Sequence, residues 1–223
     1  MTTNFPTSLD AFTNPSSTDA MDSATVPHAS QHADLNDAVE ALQAKVGVDS
    51  SAVTTSLDYK VANQGLIFIK SVSIGSAVSS VTVSNAFSST YQNYKIILSG
   101  ADTTLVNNTI NFNFDGSTTG YYQAGWYRNY ANTSGNWSTA NNGSSWAVGY
   151  TSTDSDTYSS IEVFHPYETR RSKFTISPNG GGDFVLVFGG KHDVASSYTG
   201  FVLVPGNGTF TGGTIRVYGY NDG

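Results

Sequence analysis

The chain of 223 residues contains no cysteine. Disulfides, thiol nucleophiles and cysteine-ligated zinc are therefore excluded, and no redox compartment can be inferred. Charge is scarce too: Asp, Glu, Lys and Arg make up 12% of the residues, against roughly 25% in ordinary domains. With 17 acids and 10 bases the formal net charge is −7, which argues against a basic nucleic-acid binder. No apolar run approaches the ~18 residues of a membrane-spanning helix. The opening residues, MTTNFPTSLD, lack the basic and apolar regions of a secretory signal, so none is expected.

What fills the chain instead is 30 Ser, 26 Thr and 18 Asn, together 74 small polar residues, beside 22 Gly and 13% aromatics. This composition predicts short strands and many turns, wetted by hydroxyls and amides rather than by charge. The charge is unevenly spread. Residues 1–60 hold eight acids and two lysines, a net of −6, whereas residues 61–223 hold nine acids and eight bases, a net of −1. Two different tasks are expected on either side of that boundary.

Residues 1–30 read as an extended arm. Pro6, Pro15 and Pro27 interrupt any helix and push their predecessors toward extended geometry. Phe5, Leu9, Phe12, Met21 and Val26 are too few to form a core. Such a segment either lies loose or orders along a partner, and the spacing of its apolar residues favours anchoring. The stretch SQHADLNDAVEALQAKV (30–46) predicts a helix with Ser30 as N-cap, Asp34 and Asp37 near its positive end, and Gly47 as its stop. Leu35, Val39, Leu42 and Val46 recur at spacings of 4, 3 and 4, a narrow two-heptad seam suited to pairing with copies of itself. The alternative is a helix folded back on its own domain. Val at a with Leu at d leans toward two strands and does not by itself argue for three. Residues 31–47 are thus the expected oligomerising helix, and 48–65 a linker.

From Leu66 onward the period changes to two. Eleven candidate strands follow, as in TINFNFD (109–115), where Ile110, Phe112 and Phe114 alternate with Asn111 and Asn113. Turn signals separate them, including DG at 115–116, PNGGGD at 178–183 and PGNG at 205–208. The expected fold class is mainly β: an antiparallel β-sandwich or jelly roll over residues 66–223.

Signals for catalysis are weak. His28 and His32 stand four apart, but a helix starting at Ser30 leaves His28 outside it, and no metal site is expected. Asp154 and Asp156 are close enough to suggest paired carboxylates or calcium, yet in a Ser/Thr loop they read as solvated. No GxSxG, P-loop or dinucleotide fingerprint occurs. No enzyme activity and no cofactor are expected.

Residues 121–150 gather all three tryptophans and five tyrosines around a polar stretch, NTSGNWSTANNGSS (132–145). Aromatic faces beside amides and hydroxyls suit sugars, and Trp126, Tyr127, Trp137, Trp146 and Asn136 are the candidate glycan-binding residues. Trp137, in the middle of an expected loop, is the best exposed candidate. The competing expectation is that these rings fill the core. The basic run Arg170, Arg171 and Lys173 could meet an anionic polymer or be a solvated turn.

The stretch VPHASQHADLNDAVEALQAKVGVDSSAVTTSLDYKV (26–61) resembles the N-terminal segment of tailed-bacteriophage fibre and minor tail proteins. VSNAFSSTYQNYKIILSG (83–100) and TGGTIRVYGY (211–220) are similar to strands of phage fibre heads. The resemblance implies a homotrimeric virion protein on the particle surface. Phe5, Leu9, Phe12, Met21 and Val26 would dock on other virion proteins at the tail, collar or capsid. A short coiled coil would gather the chains, and the β head would meet a host surface polysaccharide without membrane insertion. The alternative is a capsid-attached head fibre or decoration protein with no specific receptor.

Overall fold

The computed structural model describes residues 18–22, 24, 28–129, 134–151, 157–180 and 184–221. The chain divides into two compact units, residues 1–64 and residues 65–223.

In the first unit, α1 spans His28–Val46. The helix begins two residues earlier than its capping residue suggested, so Ser30 lies in the first turn and His28 joins His32 on the helix. Asp34 and Asp37 correspondingly fall beyond the first turn, which holds no acid. Gly47 ends the helix at φ +89°, a left-handed conformation that few other residues adopt, and its N–H bonds the Gln43 carbonyl at 2.8 Å. The stretch expected as a plain linker contains a second helix, α2 (Leu57–Ala62), capped by Ser56, whose Oγ accepts from the Tyr59 N–H at 3.2 Å. Leu35, Val39, Leu42 and Val46 are all exposed. Of the expected docking residues, Met21 is exposed, and Phe5, Leu9, Phe12 and Val26 lie outside the described residues.

The second unit is a β-sandwich. In chain order its strands are β1 (Leu66–Ser73), β2 (Val81–Val83), β3 (Asn93–Ser99), β4 (Asn108–Phe114), β5 (Tyr121–Asn129) and β6 (Ser134–Gly143). They continue with β7 (Trp146–Thr151), β8 (Tyr158–Phe164), β9 (Ser172–Gly180), β10 (Phe184–His192), β11 (Phe201–Pro205) and β12 (Thr214–Tyr220). One sheet runs β1-β12-β3-β8-β9-β10-β5-β6, the other β2-β11-β4-β7. Every pairing between strands is antiparallel.

The order follows a simple rule. β1 pairs β12, β2 pairs β11, β3 pairs β8 and β4 pairs β7, so early strands meet late ones in nested fashion. Those eight strands, split between β1-β12-β3-β8 and β2-β11-β4-β7, are the two four-stranded sheets of a jelly roll. The remaining four are insertions. β5 and β6 enter between β4 and β7, β9 and β10 between β8 and β11, and together they widen one sheet to eight strands.

Eleven of the twelve strands stand where alternation placed them. The twelfth, β6, occupies SGNWSTANNG, expected to be a loop. Its polar sequence carries no period-two signal, and pairing with β5 decides its conformation.

Alternation sorts the side chains. In β3 and β4 every second residue is buried: Tyr94, Ile96 and Leu98, then Ile110, Phe112 and Phe114. The core between the sheets is unusually aromatic. Phe112 stacks on Phe201 with centroids 4.9 Å apart, and Trp146 stacks on Phe174 at 4.1 Å. Polar groups within it are satisfied. Buried Gln123 donates from Nε2 to the Ala147 carbonyl and accepts the Ala147 N–H at Oε1, both at 2.8 Å. It thereby joins β5 of the wide sheet to β7 of the narrow one like an extra strand rung.

Candidate functional site

The aromatic cluster divides by the face each strand residue takes. Trp146, expected among the sugar-binding residues, is fully buried and belongs to the core. It lies between the sheets, and its Nε1–H donates to the Lys191 carbonyl at 3.3 Å. Tyr121 is buried as well, its hydroxyl accepting the Phe114 N–H at 2.7 Å. Desolvation pushes the Tyr121 phenol up to about 12. Tyr127 is half-buried and packs against the core. Trp137 does not sit in an open loop: its backbone pairs opposite Gly125, and that of Asn136 opposite Trp126. The side chains of Asn136 and Trp137 lie outside the described residues, as do Asp154 and Asp156.

Trp126 is the candidate that faces outward, 48% exposed. On β5, Tyr121 and Gln123 point inward, which sends Tyr122, Ala124 and Trp126 to the outer face of the wide sheet. The neighbouring strand is in register, placing Lys191 opposite Tyr122, Gly189 opposite Ala124 and Val187 opposite Trp126. Large side chains thus flank two small ones, and a trough of about 400 Å³ opens over Ala124 and Gly189, with Asn141 at its rim. Tyr122 and Trp126 are four residues apart, about 13 Å along an extended strand. The trough lies wholly on inserted strands, outside the jelly-roll framework.

One end of the trough is cationic. Lys191 Nζ sits 4.7 Å from the centroid of the Tyr122 ring and 2.9 Å from Asp193 Oδ1. The same carboxylate oxygen takes Arg171 Nε at 2.5 Å. Lys191 holds the Asp193 carboxyl below its usual range, with help from Arg171, so it stays ionised through neutral and mildly acidic pH. Lys173 pairs opposite Lys191 on the next strand, so two like charges stand side by side. Arg171, Lys173, Lys191 and Asp193 carry a combined charge of +2 on a chain whose net charge is −7.

This patch continues into a cleft of about 770 Å³ lined by Phe164, His165, Arg170, Arg171, Lys173 and Asp193. At its far side Arg170 Nε meets Glu168 Oε2 at 2.8 Å, and Glu168 Oε1 meets His165 Nδ1 at 3.1 Å.

The geometry offers a flat aromatic surface, a floor without side chains and a row of cations. It suits a ligand with an apolar face and a negative charge. Among the described residues no group of three or more His, Asp or Glu is placed to hold a metal. Reasoning from sequence missed Ala124, Gly189, Lys191 and Asp193. Their signal lies in the cross-strand register of β5 and β10, which period-two alternation alone does not specify. No helix is long and apolar enough to cross a membrane among the described residues. No protein-family model matches the chain, and neither a curated protein nor a solved structure does.

Proposed function

We propose that the chain is a subunit of a tailed-bacteriophage virion fibre. It docks on the particle through its N-terminal arm, self-associates through α1 as a homotrimer, and contacts a bacterial surface glycan through its β head. The observation that carries the glycan contact is the trough between Tyr122 and Trp126, beside Lys191 and Lys173. Sugar rings present C–H faces to aromatic rings, and the adjoining cations favour glycans that carry carboxylate or phosphate groups. Self-association is supported by the exposed seam Leu35, Val39, Leu42 and Val46, a continuous apolar stripe that water does not favour. The arm and the trimer count draw on the resemblance to phage fibres.

The test is binding of the full-length chain to a panel of purified bacterial surface polysaccharides, acidic and neutral. An acidic member should bind, and Trp126→Ala should weaken it at least tenfold, about 1.4 kcal/mol, with no change in melting temperature. Failure to bind any member, with particle attachment intact, would sink the receptor role and leave a capsid decoration protein.

A further inference from the structure

On α1 the Nε2 atoms of His28 and His32 are 3.0 Å apart, with the rings edge to face and their centroids 4.3 Å apart. The spacing fits a hydrogen bond, and it also fits two ligands of one ion. At the ~2.05 Å typical of a transition-metal–imidazole bond, such a separation subtends an angle of about 94° at the ion. That is close to the cis angle of an octahedral centre. Two neutral imidazoles one helical turn apart are a natural chelate for a borderline divalent ion.

The second observation is register. Leu35 and Leu42 occupy d positions of the seam, and Val39 and Val46 occupy a positions. Counting back one heptad from Leu35 and Val39 lands on His28 and His32. The histidine pair is therefore the first d/a layer of the same stripe rather than an unrelated surface feature. In a parallel assembly these imidazoles converge on the axis, directly above the Leu35 layer, where apolar side chains exclude water.

We propose that His28 and His32 from three parallel copies of this chain enclose one six-coordinate divalent transition ion on the seam axis. Three copies supply six imidazoles, the number an octahedral ion takes. Two imidazoles from one exposed helix leave most of the coordination sphere to water, so the second and third copies complete the site. The ion would lock the parallel orientation and the alignment of the chains, tasks that a seam of two heptads performs poorly alone.

This proposal rests on the self-association described above, and the experiment separates the two. The full-length chain is stripped with chelator, loaded with Co²⁺, desalted, and measured for absolute mass by light scattering, for bound cobalt, and for its visible spectrum. The expected result is a trimer with one cobalt per three chains and the weak absorption of an octahedral centre. His28→Gln and His32→Gln should each lower cobalt affinity at least tenfold, with the trimer retained at high protein concentration. A trimer that takes up no cobalt, or one ion per chain, would overturn the metal site and leave the seam standing. A dimer with one ion per two chains and the intense absorption of a tetrahedral centre would overturn the six-imidazole assignment. A monomer would overturn the seam, and the shared site with it.

Discussion

His192 illustrates how a single side chain reports on its surroundings. It is fully buried on the inner face of β10, with its Nε2 3.0 Å from the Thr119 carbonyl and 2.9 Å from Ser117 Oγ. A carbonyl can only accept, so Nε2 carries the proton. Desolvation lowers the imidazole below its ordinary value of 6.5, and the hydrogen bond to Thr119 only partly opposes it. The folded chain therefore takes up this proton at lower pH than the unfolded chain. Stability is fully present above pH 6.5, falls as the pH drops below it, and levels off below the folded value. Denaturant melts between pH 4 and 8 should show this slope, and His192→Gln should flatten the His-dependent part. An unchanged slope would mean that the imidazole is solvated.

Two adjacent glycines on β10 show what strand geometry decides. A Cβ on Gly189 would meet nothing closer than the Phe174 carbonyl oxygen at 3.6 Å, an ordinary contact. A Cβ on Gly190 would lie 2.0 Å from the Tyr122 carbonyl oxygen and 2.6 Å from a ring carbon of Phe174. The strands therefore close on Gly190 and leave Gly189 open to the trough. Gly189→Val should leave the melting temperature within a few degrees of the parent and reduce glycan binding at least tenfold by filling the trough floor. Gly190→Ala should destabilise the fold by about 1–3 kcal/mol, the usual cost of overpacking. Thermal melts together with polysaccharide binding check both. Equal melting temperatures for the two variants would refute the assignment of faces.

The whole chain couples a short helical unit to a large β unit, and the two differ in what holds them together. The β unit owes its stability to long-range pairing and an aromatic core, and it buries its apolar residues within a single chain. The helical unit leaves its apolar stripe exposed, and α1 at 19 residues is only modestly stable alone. Leu42→Glu, which puts a charge in the middle of that stripe, should reduce the assembled chain to monomers without shifting the melting of the β unit. Light scattering and calorimetry on the full-length chain read the two effects separately. A mass unchanged by this substitution would show that the stripe is not the contact between copies.

The amino-acid sequence by itself determined the local pattern. Period-two alternation in segments such as TINFNFD specifies which residues face inward, turn residues space the strands, and the 4, 3, 4 recurrence marks the helix seam. Those are properties of neighbouring residues, so they are legible without the fold. Only the tertiary structure decided which strands pair. The nested order that makes the jelly roll, the insertion of four strands into one sheet, and the assignment of SGNWSTANNG to a strand all depend on contacts between residues distant in the chain. The separation of Trp126 from Trp146 has the same origin. Both are tryptophans in strands, and nothing local distinguishes them. One meets the opposite sheet and is buried, whereas the other stands on the outer face beside two small residues contributed by register.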